Sequence, residues 1–118
     1  MRPERAAAKF PKGRLRDGEE IIAGLYGWIG RAMGRRKDRQ VNGTLYVTNQ
    51  RVCFHKKGLF SEHFQAIPLG RISSVESVTR LGYRGITFYT SDDELHFGSF
   101  DKLADFDRLV EYVESREA

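Results

Sequence analysis

The 118-residue sequence predicts a mainly β domain with one C-terminal α-helix: a seven-stranded β-sandwich or partly open barrel capped by that helix. Three observations carry the expectation. Short alternating apolar–polar runs, divided by Gly, Pro, Asn and Asp turn signals, recur between residues 21 and 97, which is the signature of a sandwich or barrel. Near residue 101 the period changes, and apolar side chains fall on one helical stripe. Hydrophobic residues make up 40% and charged residues 31%, the balance of an ordinary globular chain, at a length that favours one domain.

Residues 3–10 favour a helix that Pro11 and Gly13 stop. Two turns do not persist alone in water, so residues 1–16 read as a basic arm, a short helix or flexible, ahead of a domain spanning 17–118. Asp17-Gly18 turns into the apolar run Ile21 to Ile29, where Gly24 and Gly27 disfavour helix and suggest a strand that bends at its glycines. Thr44 to Val47 and Arg51 to Lys56 alternate around a tight turn at Thr48-Asn49-Gln50-Arg51. Gly58 marks the next turn, before His63 to Ile67 and a stop at Pro68. Ile72 to Thr79 reads as a bulged strand, because Ile72, Val75 and Val78 are three apart but the residues between them are poor helix formers. A turn at Gly82-Tyr83-Arg84-Gly85 precedes a strand from Ile86 to Thr90, and Ser91-Asp92-Asp93 turns into a last strand around Leu95 and Phe97. Asp101 then suits an N-cap, and Leu103, Phe106, Leu109, Val110 and Val113 form the apolar stripe of an amphipathic helix.

Composition excludes several classes. No apolar run approaches the ~18 residues of a membrane span, and residues 1–18 lack the apolar core of a signal peptide. The lone Cys53 permits neither an internal disulfide nor a CxxC metal site and fits a reducing compartment. A cytoplasmic protein is expected, with peripheral contact at the inner membrane face as its membrane-associated variant. The net charge of +4 is segregated. Residues 1–18 carry +4, residues 31–39 carry +4, and residues 92–118 carry −6. Such a molecule attracts a polyanion or stacks head-to-tail on its own copies; the plainer reading is two solvated faces.

The order of seven strands and a final helix is that of pleckstrin-homology-like (PH-like) domains, and specific words support it. Gly18-Glu19-Glu20-Ile21 resembles the opening of bacterial PH-like domains of the YokE type, within the GRAM/PH superfold. Gly43 to Val52 resembles their second and third strands, with Thr48-Asn49-Gln50-Arg51 the most distinctive word, and Ile67 to Glu76 is similar to their fourth-to-fifth strand passage. The resemblance spans about residues 17–116 and implies two orthogonal sheets closed at one end by the helix. In phosphoinositide-binding relatives the connection between strands one and two holds the headgroup; by position and charge, that connection here is Gly30 to Arg39. Some bacterial members form homo-oligomers.

The candidate anion- or partner-binding residues are therefore Arg31, Arg35, Arg36, Lys37 and Arg39, with Trp28 and Met33 flanking them. Arginine offers paired donors to phosphate, and each basic residue near an anionic bilayer is worth about 1 kcal/mol. The expected function is a non-catalytic binding or scaffolding module whose basic segment 30–40 contacts anionic lipid headgroups or an acidic protein. The alternative is a homo-oligomeric interaction module without a lipid ligand. Nucleic acid would use the same charges, with Tyr46, Tyr83 and Tyr89 exposed by alternation, but no RNP, zinc or helix-turn-helix pattern accompanies them. Cys53 and His55 share a strand face, and one register puts His63 beside them, yet neither a third ligand nor an orienting acid is indicated. No P-loop or GxGxxG word occurs. No catalytic residue, metal or cofactor is expected.

Overall fold

A computed structural model describes residues 1–30 and 40–116. Strands form where side chains alternate: β1 (Ile21–Ile29), β2 (Val41–Thr48), β3 (Arg51–Lys57), β4 (Glu62–Pro68), β5 (Ser74–Arg80), β6 (Tyr83–Tyr89) and β7 (Glu94–Ser99). They make one antiparallel sheet of seven strands in the order β4-β3-β2-β1-β7-β6-β5, with β4 and β5 as its edges. The expected two layers are thus the two halves of one open, PH-like sheet that share β1. That strand pairs with β2 from Ile21↔Thr48 to Ile29↔Val41, and with β7 at Trp28↔Gly98 and Ile29↔Phe97.

The crossing depends on glycine. A Cβ on Gly27 would lie 1.9 Å from the Gly98 carbonyl oxygen, so only a hydrogen at this position lets β7 approach β1. The enclosed space is filled by inward residues of both halves, among them Leu25, Leu45, Phe54, Phe88 and Phe97. Helix α2 (Leu103–Glu114) packs against β1 and β5 and plugs this core with Phe106, Leu109, Val110 and Val113. Four of the five expected stripe residues are therefore buried; the side chain of the fifth, Leu103, lies outside the described ones.

The opposite face of the sheet is covered too. Helix α1 (Pro3–Lys9) lies on β1, with Ala6 and Phe10 buried against Tyr46 and Cys53. The Phe10 ring meets Tyr46 edge-on at 5.0 Å and Phe64 at 6.2 Å, and Tyr46 Oη donates to the Lys9 carbonyl at 3.1 Å. Burying Phe10 supplies about 1.5–3 kcal/mol toward ordering seven residues that are too short to stay helical alone. Strand alternation put Tyr46 in solvent, but it is 2% exposed, because α1 roofs that side.

Three local expectations are corrected. The strand expected from Ile72 to Thr79 is present as β5 but starts at Ser74 and carries no bulge, in unbroken register with β6 from Ser74↔Tyr89 to Arg80↔Tyr83; Ile72 instead follows a 3-10 turn, Leu69–Arg71. Ile72 is apolar because it closes that turn (its N–H donates to the Leu69 carbonyl at 3.1 Å) and enters the core. The β5–β6 turn is Leu81-Gly82, with φ +89° at Gly82, so Tyr83, Arg84 and Gly85 belong to β6. The residue before α2 is Lys102, with no side-chain cap. Asp101 is otherwise engaged, accepting the Tyr26 N–H at 2.8 Å.

Candidate functional site

A dense polar cluster among the described residues joins two of the three words that carry the family resemblance. The Glu19 carboxylate accepts Arg51 Nε at 2.8 Å and Arg51 Nη2 at 3.0 Å, Thr48 Oγ1 at 2.7 Å and the Arg16 N–H at 3.0 Å. Both charged side chains are sealed from water, 0% exposed for Glu19 and 5% for Arg51. The rest of the turn clamps the same segment. Asn49 accepts the Glu20 N–H and donates to the Gly18 carbonyl, Gln50 donates to the Asp17 carbonyl, and Thr48 Oγ1 accepts the N–H groups of Gln50 and Arg51. Burial pushes the Glu19 carboxyl upward, but the donors from Arg51, Thr48 and Arg16 outweigh it and hold the group below the usual carboxylate range. With its acceptor positions filled by protein donors, this cluster is a latch that fixes β1 to the β2–β3 turn.

The candidate residues Arg31, Arg35, Arg36, Lys37 and Arg39, with Met33, lie outside the described residues. Trp28 is half-buried near the end of β1 that precedes them in the chain. Its indole covers Gly98, where a Cβ would come within 2.5 Å of the ring, and it packs with Phe100 at 4.8 Å and Tyr83 at 5.6 Å. Tyr83 and Tyr89 are each half-buried.

Sequence reasoning missed an exposed pair of adjacent apolar residues. The β3–β4 turn is closed by Gly58 N–H donating to the Ser61 carbonyl at 2.7 Å, and at its tip Leu59 is 89% and Phe60 95% exposed. Exposed Lys56 and Lys57 precede the tip. Because β1, β2 and β3 are antiparallel neighbours, this turn lies at the sheet end where β1 stops and β2 starts. The readable signal was Lys56-Lys57-Gly58-Leu59-Phe60-Ser61, two large apolar residues where a turn ordinarily places polar ones. On the adjoining strands, Glu62 accepts from Arg14 at 3.3 Å and contacts His55 Nε2 at 2.8 Å. The bond with His55, then that with Arg14, holds its carboxyl below the ordinary range.

The cysteine–histidine grouping does not form. Cys53 is opposite Ala66 and His55 opposite Phe64, whereas His63 is opposite Lys56 and so projects from the other face of the ladder. Its ring packs edge-on to Phe54 at 5.9 Å. Burial raises the Cys53 thiol to about 12, which removes it as a nucleophile near neutral pH. His96 is elsewhere, with Nδ1 2.7 Å from Thr87 Oγ1. Among the described residues no group of three or more His, Cys, Asp or Glu side chains has metal-binding geometry. A cleft of about 230 Å³ between β4 and the β6–β7 turn is lined by Asp92, Asp93, Glu94 and Arg71. No described helix is long and apolar enough to cross a membrane.

An open antiparallel sheet of seven strands plugged by a C-terminal helix defines a PH-like domain, a class of binding and scaffolding modules that are typically non-catalytic. The bacterial PH domain family model (bPH_3) matches residues 15–115, and the chain belongs to this family. The match contains both halves of the Glu19–Arg51 latch and begins after α1. No curated protein matches the chain.

Proposed function

We propose that this domain is a peripheral adaptor that adsorbs to anionic membrane surfaces through the 30–40 segment and the β3–β4 tip. The observation that carries the reading is the exposure of Leu59 and Phe60 beside Lys56 and Lys57, at the sheet end where β1 stops and β2 starts. Arg31, Arg35, Arg36, Lys37 and Arg39 fall between those two strands in the sequence. Two apolar side chains entering the headgroup region gain about 1.5–3 kcal/mol each, and basic residues at the surface add about 1 kcal/mol apiece. Trp28, just before the basic segment, supports the interfacial end of this surface. Together these terms give reversible attachment, the regime of a recruited adaptor. An acidic protein would satisfy the lysines and arginines but gives no reason for a bare Leu-Phe tip.

Sedimentation with phosphatidylglycerol vesicles tests the reading at low and high salt. Arg35→Ala/Arg36→Ala/Lys37→Ala should lose most binding at low salt, and Leu59→Ser/Phe60→Ser should lose the part that persists at high salt, where charge is screened. If wild type and both variants sediment alike, the membrane reading fails.

A second reading, self-association, draws on the open edges β4 and β5 and on the acidic C-terminal segment facing a basic chain elsewhere. Light scattering decides it: a strictly monomeric mass at high concentration excludes it.

A further inference from the structure

We infer a second anion site, formed where α1 meets the start of α2 over β1, that takes a compact, multiply charged phosphate. A cleft of about 650 Å³ opens there, lined by Arg2, Arg5, Lys102 and Arg108 around Tyr26, a size suited to a small ligand. All four cationic side chains are exposed, and among the described residues none of them is in an ion pair. Lys9 adds a fifth positive group, its Nζ 5.2 Å from the Tyr26 ring centroid. The two acids of the cleft have partners within its own lining: Asp101 accepts the Tyr26 N–H at 2.8 Å, and Asp105 accepts the Met1 ammonium at 2.5 Å. Among the side chains of the lining, cations thus outnumber carboxylates four to two.

Three of the four lining cations are arginines, whose planar forks pair with phosphate oxygens two at a time. They come from two elements about a hundred residues apart in the chain, so the concave arrangement exists only once α1 is docked. The docking is secured by the buried Ala6 and Phe10 rather than by the arginines, which leaves the arginines without a structural task. The α1 half of the cleft lies outside the 15–115 family match, so the site is built partly beyond the common frame. It is independent of the membrane reading.

Titration calorimetry with inorganic triphosphate tests the site at 50 mM and 300 mM salt. Wild type should bind, more weakly at high salt, and Arg5→Ala/Arg108→Ala should weaken binding on the order of tenfold or more per arginine removed. Both residues are exposed, so the thermal midpoint should not move. Arg35→Ala/Arg36→Ala/Lys37→Ala should bind triphosphate as wild type does, which separates this cleft from the 31–39 segment. Phosphatidylglycerol vesicles identify the source. Vesicle binding lost in Arg5→Ala/Arg108→Ala assigns the site to lipid headgroup phosphate, and vesicle binding retained while triphosphate binding is lost assigns it to a free phosphate. Absence of triphosphate binding, or equal loss in the two arginine variants, overturns the site.

Discussion

Removing Arg51 probes the latch most directly. Arg51→Met deletes both bonds to Glu19 and the 2.6 Å bond from Nη2 to the Arg14 carbonyl, and it leaves a fully buried carboxylate with only Thr48 and the Arg16 N–H as donors. Breaking one side of a buried pair costs about 3–5 kcal/mol. Against a typical domain stability of ~5–15 kcal/mol this is a large fraction, and at ~3–6 °C per kcal/mol it lowers Tm by roughly 10–30 °C. The effect is pH-dependent. In the wild type the Glu19 carboxyl is depressed below its unfolded value, so its stabilisation is complete above the ordinary carboxylate range and is lost as pH falls through the depressed folded value. In Arg51→Met the depression is gone and burial raises the group, so protonation relieves the variant first. Its deficit should shrink between pH 7.5 and pH 5. Urea unfolding of wild type, Glu19→Gln, Arg51→Met and the double variant at both pH values measures this. The coupling energy of the cycle should exceed about 2 kcal/mol, with unchanged denaturant slopes. A loss below about 1 kcal/mol for Arg51→Met at pH 7.5, or additive single effects, would refute the latch.

Two further outcomes are expected. Cys53 should resist an aromatic disulfide reagent at pH 8 in the folded protein and react fully in urea; because its thiol is raised from 9.0 to about 12, stability should also fall as pH climbs from about 9 toward 12, where only the unfolded thiol ionises. Rapid native-state labelling would contradict the burial of Cys53 beneath Ala6 and Phe10. Gly27→Ala should cost at least ~2–3 kcal/mol, since its methyl would overlap backbone atoms of Gly98, whereas Gly70→Ala, with nothing within 4 Å, should stay within about 0.5 kcal/mol, both measured by urea midpoint.

What the sequence made legible follows a physical division. Alternation reports burial on one face, so it located the strands whose inner residues reach the core, such as Leu45, Val47, Val52 and Phe54. It misassigned Tyr46 because alternation assumes a solvated outer face, and the element that covers that face, α1, is distant in the chain. Turn chemistry was legible where an asparagine or glycine carries it, as at Thr48 to Arg51. Ile72 was misleading because a residue closing a 3-10 turn into the core has the same composition as a strand residue. His63 depended on register, which a single-residue slip inverts. The latch was invisible as chemistry although both of its words were singled out, since only folding brings Glu19 within 2.8 Å of Arg51. The five basic candidates at 31–39 lie outside the described residues, and Trp28, the sixth, is half-buried over Gly98.

The placement of these features separates the scaffold of this small domain from its exposed surface. Both faces of the sheet are occupied, one by α2 and one by α1, which leaves turn ends, edges and helix junctions as the exposed features. Those are the positions where substitutions disturb no ladder and no core: Phe60 at 95% exposure is separated from the β3–β4 ladder by a turn that its side chain does not stabilise. The latch, by contrast, sits within the family match and uses its polar atoms internally. A variant with an altered tip or altered arm arginines should therefore keep its Tm and lose a ligand, whereas a latch variant should lose Tm first, and ligand binding only as a consequence of unfolding. Measuring Tm and binding side by side in this way distinguishes recognition from scaffold whatever the chemical identity of the ligand.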